Sequence, residues 1–305
     1  MDFEPYRSEL TAYCYRMLGS YHDAEDLVQE TLLRAWKARE KYDPGRASVR
    51  TWLYRIATNV CLTALDGRQR RALPSGLVAV GEDPGVPLVP APEVPWLEPF
   101  PGGEARADLR LAWVAAVQLL PARQRAVLVL REVLAFSAAE VAEQLDTTVA
   151  AVNSALQRAR TAVSAADEGE VREPGDPEVR AVVERYVRAF EAADVPALVR
   201  LLAEDVVMEM PPVALWLRGT AHYAQFMADV FRRRGAGWVL RAVVANGQPA
   251  LAAYVPGDPA GGVPRLHSMT VLSVTTDGRI SRIVAFTDPS GLAAFDLPGN
   301  LDDER

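Results

Sequence analysis

Lysine is nearly missing from this 305-residue chain: Lys37 and Lys41 are the only two, and arginine supplies almost all the positive charge. Cysteine is as scarce, with Cys14 and Cys61 too few and too far apart for a disulfide framework or a zinc site. The pair suits a reducing, cytoplasmic setting. No run reaches the roughly 18 apolar residues of a membrane span. Met1–Tyr6 carries Asp2 and Glu4 in place of a basic segment followed by an apolar one, which does not read as a secretory signal. No metal, cofactor or membrane partner is expected. What is present, 50% hydrophobic and 24% charged residues, excludes a disordered tail, a collagen-like chain and a disulfide scaffold. The length suggests about two domains.

The net charge of -7 hides a division. Residues 1–72 carry 12 basic and 10 acidic groups, residues 73–107 one and five, residues 108–166 six and five, and residues 167–305 fourteen and twenty. Two slightly basic pieces are thus separated by an acidic strap and followed by an acidic domain, which permits a polyanion partner for the basic pieces. From Pro74 to Pro101 there are eight prolines in 28 residues. Each removes an amide donor and disfavours helix before it, so the strap should be extended and irregular. Trp96, Leu97 and Phe100 are large for a solvated linker and should dock, most simply on a neighbouring domain of the same chain. A second boundary falls at Asp167–Pro177.

Both basic pieces read as helical. In Asp23–Trp36, Leu27, Val28, Thr31, Leu32, Ala35 and Trp36 share one face, while Asp23, Asp26, Gln29 and Glu30 lie opposite. By composition alone that polar face is an ordinary solvated one with acids placed well for the helix dipole. A further helix from Val49 buries Leu53, Ile56, Ala57, Val60 and Ala64. It presents Arg50, Thr51, Trp52, Arg55, Thr58 and Asn59, the mixture of aromatic, amide and guanidinium groups that single-stranded nucleic acid uses; Trp52 and Tyr54 fit a half-buried core equally well. Beyond the strap, Leu120–Gln124 opens a helix, Ser137 can cap Ala138–Leu145, and Thr147 or Thr148 caps a last helix. That helix buries Val152, Leu156 and Ala159 and presents Ala150, Asn153, Ser154, Gln157, Arg158 and Arg160. Two short helices joined by a tight turn, the second polar, fit a helix-turn-helix.

Together these strings resemble a bacterial RNA polymerase sigma factor of the extracytoplasmic-function type, in the sigma-70 family. Tyr13–Gly19 with Asp23–Thr31 is similar to the family's core-polymerase-binding helix. Trp52–Asn59 is similar to the helix that engages the promoter −10 element, and Leu120–Gln124 through Arg158–Arg160 to the domain that reads the −35 element. The resemblance implies core RNA polymerase and promoter DNA as partners. Its polymerase face would be Asp23, Asp26, Leu27, Gln29 and Glu30. Its −10 residues would be Asp43, Arg46 and Ser48 of a pocket loop, with Arg50, Trp52, Arg55 and Asn59 beside it; there a base leaves the stack at a cost of a few kcal/mol. Its −35 residues would be Arg123, Thr147, Thr148, Asn153, Ser154, Gln157, Arg158 and Arg160. The family often has a basic-Ser-basic triplet where this chain has Asn153-Ser154-Ala155, so fewer phosphate contacts and a weak −35 preference are expected, although Asn can still read adenine.

Residues after 166 lie outside a minimal member of that family. They read as helices over Pro177–Ala193, Pro196–Leu202 and Thr220–Arg234 and strands at Val206–Met210, Trp238–Val244, Ala250–Tyr254, Leu266–Val274 and Ile280–Ala285. Asn246-Gly247 and Asp277-Gly278 are hairpin signals. The pattern resembles SnoaL-like members of the NTF2-like cone fold. The expected fold class is therefore multidomain: an all-α region-2 bundle (1–72), a Pro-rich acidic linker (73–107), an all-α helix-turn-helix region 4 (108–167) and an α+β cone domain (176–299).

A cone of this type encloses a pocket, with Glu209, His222, Tyr223, His267 and Asp288 as candidate polar lining and Trp216, Met208, Met210, Phe226 and Met269 as apolar wall. The isomerases of the fold place a general-base carboxylate before a proline; here Met210 precedes Pro211 and cannot take a proton. Glu209 should face away from its strand neighbours. A non-catalytic regulatory domain is expected, controlling the sigma domains by docking on them or by binding a small molecule. The alternatives are a bifunctional chain whose cone is a small-molecule enzyme or sensor, and a helix-turn-helix repressor that never meets polymerase.

Overall fold

The computed structural model describes residues 1–81, 87–102, 107–164, 171–257 and 262–301. The chain forms two compact units, Met1–Arg71 with Leu111–Asp167, and Ala72–Arg110 with Glu168–Arg305. The strap that separates the two helical pieces in sequence therefore folds with the C-terminal domain.

The first unit is all α. Its helices are α1 (Arg7–Leu18), α2 (Tyr21–Ala38), α3 (Val49–Leu65), α4 (Leu111–Gln118), α5 (Ala122–Leu128), α6 (Ala138–Gln144) and α7 (Val149–Ser164). Gly19 ends α1 at φ 71°, its N–H donating to the Tyr15 carbonyl, and Ser20 then caps α2 through the Asp23 amide. Ser48 caps α3 in the same way. Tyr13, Tyr54 and Thr58 form a buried knot: Tyr13 Oη lies 2.7 Å from Thr58 Oγ1, which donates to the Tyr54 carbonyl at 2.6 Å. Thr58, expected on the exposed side of α3, is thus interior, because its hydroxyl finds both partners there. Trp36 departs in the other direction. It is 51% exposed, with the Arg39 guanidinium 4.3 Å above its ring, so the apolar stripe of α2 stops at Ala35.

Between α5 and α6 the backbone runs through a π turn at Val129–Val133 and a left-handed Ala135, where sequence periodicity continues a helix to Leu134. Ser137 and Glu140 complete a capping box on α6. Asp146 takes a left-handed conformation in the turn, and Thr148 Oγ1 accepts the Ala151 amide at the start of α7. Val152, Leu156 and Ala159 are buried beneath α7, as its periodicity requires.

The second unit is α+β. Helices α8 (Pro177–Glu191), α9 (Val195–Arg200) and α10 (Thr220–Arg234) accompany a six-stranded sheet in the order β2-β1-β6-β5-β4-β3. The strands are β1 (Leu202–Glu209), β2 (Trp216–Arg218), β3 (Val239–Ala245), β4 (Gln248–Val255), β5 (Arg265–Val274) and β6 (Ile280–Phe286). Strand β2 is too short to carry a periodic signal and exists because it pairs with β1. Asn246 and Gly247 both have positive φ between β3 and β4, as a type I′ hairpin demands.

One face of the sheet packs with the helices in a core that includes Tyr186, Met208, Met210, Tyr223, Phe226 and Trp238. Strand alternation turns Glu209, Met269, Val271, Arg282 and Val284 to the other side. Met269, expected in the cone wall, is therefore on the opposite face, in register with Phe286 of β6. The strap is sewn to the same domain. Trp96, Leu97 and Phe100 are buried. Ser75 N–H donates to the Glu209 carboxylate, Gly81 N–H to the Trp216 carbonyl and Ala91 N–H to the Pro212 carbonyl. The docking expected of these aromatics is onto their own chain.

Candidate functional site

The face of α2 expected to meet polymerase is solvent-facing at Asp26 and Gln29, with Leu27 and Glu30 half-buried. Glu30 pairs with Arg34 at 2.6 Å across one turn. Asp23 is the exception, held by Arg71 at 3.0 Å and Arg68 at 3.2 Å, so its carboxylate fixes the end of the first piece onto α2.

The residues expected at the −10 element do converge. Asp43, Arg46, Ser48, Trp52 and Arg55 share a cavity of about 370 Å³ with Lys41 and Tyr42. Asp43 Oδ1 accepts the Gly45 amide and Tyr42 Oη donates to the Ala47 carbonyl, fixing the loop. Trp52 sits with its ring centroid 5.1 Å from Tyr42. Asn59 is exposed farther along α3 and does not line the cavity. Arg50 is engaged otherwise: it pairs with Glu9 at 3.0 Å and lies over the rings of Tyr54 and Phe136 at 4.9 and 5.2 Å.

The far wall of that cavity is α6, through Glu140, Glu143 and Gln144. Arg55 reaches Glu143 at 3.7 Å and Asp146 at 3.6 Å. Each is an exposed pair of small energy, roughly 0–1 kcal/mol. A stronger tie lies underneath. Arg125, buried on α5, donates to the Met17 and Leu120 carbonyls and to both the side-chain and backbone oxygens of Gln118. Gln118 in turn donates to the Arg16 carbonyl at 3.0 Å. Burial lowers the Arg125 pKa to about 10, which leaves it charged at neutral pH. Nothing in helical periodicity marked Arg125, because an arginine on a helix reads as surface until tertiary carbonyls surround it.

On α7, Asn153, Ser154, Gln157 and Arg158 are exposed, and Thr147 and Thr148 stand exposed at its start. Arg160 pairs with Glu132 at 2.6 Å. Arg123 donates to the Leu145 carbonyl and so clasps the end of α6.

The six candidate lining residues of the C-terminal domain are divided between the two faces of the sheet and its surface. Glu209, wholly buried, faces away from the helix-side core; it holds Arg282 at 2.5 Å and accepts the Ser75 amide of the strap at 2.9 Å. Trp216 Nε1 donates to the Val78 carbonyl, also in the strap. Tyr223 lies in the core with its hydroxyl 2.9 Å from that of Tyr186. Burial pushes the Tyr186 phenol up to about 12 and Tyr223 well above its ordinary value, so neither ionises near neutrality. His222 Nδ1 bonds the Arg218 carbonyl one turn before it. His267 is half-buried with its ring 5.4 Å from Trp238, and Asp288 is exposed. Asn246, a turn residue by sequence, also accepts the Phe100 amide through its side chain and donates to the Leu109 carbonyl, both at 2.8 Å.

Among the described residues no group of three or more His, Cys, Asp or Glu is placed to hold a metal, and no helix is long and apolar enough to cross a membrane.

A helical bundle with a loop-and-helix cavity, a helix-turn-helix and a fused α+β domain define a class, and comparison with known proteins agrees. Residues 3–71 match Sigma-70 region 2, residues 110–163 match Sigma-70, region 4, and residues 183–283 match the SnoaL-like domain. The chain belongs to the ECF RNA polymerase sigma factors. It is 47% identical to the ECF RNA polymerase sigma factor SigG of Mycobacterium tuberculosis, over 98% of this chain and 83% of that protein. It is 30% identical to SigJ of the same organism, over 94% and 91%. The crystal structure of Mycobacterium tuberculosis SigJ aligns with a TM-score of 0.68 at 26% identity, covering 97% of this chain and 99% of that one.

Proposed function

We propose that this sigma factor binds core RNA polymerase through the exposed face of α2 and directs it to promoters, and that its C-terminal domain restrains it in cis by holding the strap. The −10 element would be read by the Asp43–Ser48 loop with Trp52 and Arg55, and the −35 element by Asn153, Ser154, Gln157 and Arg158.

The observation that carries the restraint is the strap's anchorage to the domain near both ends, Ser75 bonded to Glu209 and Leu109 held by Asn246. The −10 and −35 elements lie about 25 base pairs apart by name, or about 85 Å of duplex at 3.4 Å per pair. Helix α3 packs against α5, which in turn packs against α7, and packed helices lie only about 8–10 Å apart. Reading both elements at once therefore requires the first unit to open. The strap is the only covalent link between its halves. Extended, residues 72–110 reach roughly 130 Å at 3.3–3.6 Å per residue; sewn to the sheet, they cannot. A domain that holds the strap opposes opening, and whatever loosens it favours the promoter-competent form. The core packing of Met210, Tyr186 and Tyr223 supports a restraining role over catalysis in the cone.

Deleting the domain would expose Trp96, Leu97 and Phe100, so the cleaner test leaves the full chain in place. Asn246→Ala removes the bonds to the Phe100 amide and Leu109 carbonyl, loosening the strap by about 1–3 kcal/mol. With core polymerase and a promoter the holoenzyme transcribes, transcript yield should rise severalfold. Asp26→Arg should abolish transcription in either background. An unchanged or lower yield from Asn246→Ala overturns the restraint while leaving the sigma activity intact. Full activity in Asp26→Arg would instead remove α2 as the polymerase face.

A further inference from the structure

The outer corner of the C-terminal domain where α8 meets α9 carries a cavity of about 450 Å³ lined by Arg185, Arg188 and Arg200 over a floor of Ala189, Ala197 and Leu201. A second cavity shares Arg185, Arg200 and Leu201 and adds Arg279. Four guanidinium groups thus gather at one corner of a domain in which carboxylates outnumber basic groups.

In such a domain, partners for arginine are plentiful and are used elsewhere: Arg172, Arg218, Arg232, Arg233 and Arg282 all pair with carboxylates. Arg185, Arg188 and Arg200 pair with none among the described residues. The acids that line the two cavities are committed. Asp194 caps α9 through the Ala197 amide, Glu178 pairs with Arg172 at 2.6 Å, and Asp277 accepts from Thr275 while lying 3.9 Å from Arg279. Two of the cations are also oriented. Arg185 Nε donates to the Ala181 carbonyl, leaving its terminal nitrogens free, and Arg279 is fixed by the Leu202 carbonyl at 3.1 Å.

Set against the single carboxylate of Asp194, the three unpaired guanidiniums leave the first cavity with a surplus of two positive charges. Guanidinium forks match phosphate oxygens two at a time, and the alanine and leucine floor accepts a small apolar body. The volume falls within the usual range for small-molecule sites, about 300–1,000 Å³. We infer that this corner binds an organic phosphate, a phosphate ester or diphosphate whose organic group lays an apolar face on that floor. The site lies outside the cone and uses none of the six residues first considered as pocket lining.

The test uses the full chain with ADP, inorganic pyrophosphate, citrate and adenosine, followed by calorimetric titration. ADP and pyrophosphate should bind, ADP the more tightly because only it uses the floor, and adenosine should not. Combined Arg185→Ala, Arg188→Ala and Arg200→Ala should weaken ADP at least tenfold. All three side chains are exposed, so the variant's thermal midpoint should match the parent's and show that it folds. Arg232→Ala with Arg233→Ala, which removes two paired arginines, should leave ADP binding unchanged. No heat with ADP or pyrophosphate at millimolar concentration overturns the site, as does equal loss in the two variants. Citrate binding as tightly as pyrophosphate would reduce the site to a general dianion cleft and overturn the phosphate assignment. Displacement of ADP by a short duplex at tenfold lower concentration would make the corner a DNA contact instead.

Discussion

His267 illustrates how a residue's chemistry follows from its surroundings. Burial, and secondarily the Arg234 charge, lower its pKa from 6.5 to about 4. Its Nδ1 is buried without a hydrogen-bond partner among the described residues. The folded protein therefore keeps the ring neutral at pH values where the unfolded chain binds a proton. Its contribution to stability is complete above about pH 6.5 and is lost as pH falls toward 4. Replacing His267 by Phe removes this term. The difference between urea midpoints at pH 7 and pH 5 should be smaller in His267→Phe than in the parent, and equal differences would show that the imidazole does not contribute. The same logic separates the arginines. Arg125 and Arg158 are alike in sequence, but the first is enclosed by carbonyls and the second faces solvent.

Among elements, α7 is the clearest case of pattern becoming structure. Its apolar period of Val152, Leu156 and Ala159 leaves only one face free, and the caps at Ser137 and Thr148 fix where α6 and α7 begin. That free face is poor in charge. With Arg160 paired to Glu132, Arg158 is its one unpaired cation among the described residues. Ser154→Arg should therefore strengthen promoter binding by the holoenzyme and steepen its dependence on salt by about 0.9 in the log–log slope, one phosphate's worth. An unchanged slope would place residue 154 away from the DNA backbone. Where pattern and element disagree, at the π turn of Val129–Val133, the unbroken apolar run masked a change in helical register.

At the scale of the whole molecule the first unit is closed, with α6 against the Asp43–Ser48 loop and Arg125 beneath. Fluorescent labels at Thr63 on α3 and Thr161 on α7, both exposed, would report opening by energy transfer. Their separation should grow by tens of ångströms when the protein passes from the free state to the holoenzyme on a promoter. A constant separation would contradict the opening on which simultaneous −10 and −35 reading depends.

The sequence by itself determined α2, α3 and α5 to α10, the caps at Ser137 and Thr148, the hairpin turn at Asn246-Gly247 and the order of the sigma and cone domains, whereas α4 had no counterpart in it. These follow from local periodicity and turn chemistry, which act within a few residues. It also placed Asp43, Arg46, Ser48, Trp52 and Arg55 close together, because the loop and the first turns of α3 adjoin in the chain. Only the tertiary structure decided that Thr58 is interior, that α6 walls the cavity beside the Asp43–Ser48 loop and that Glu209 and Asn246 serve the strap. Bonds such as Ser75 to Glu209 join groups 134 residues apart, and no period or local propensity spans that distance. The arginines of the α8–α9 corner are of the same kind: their lack of partners is a property of the folded surface, where the carboxylates lining the two cavities, Asp194, Glu178 and Asp277, are already engaged.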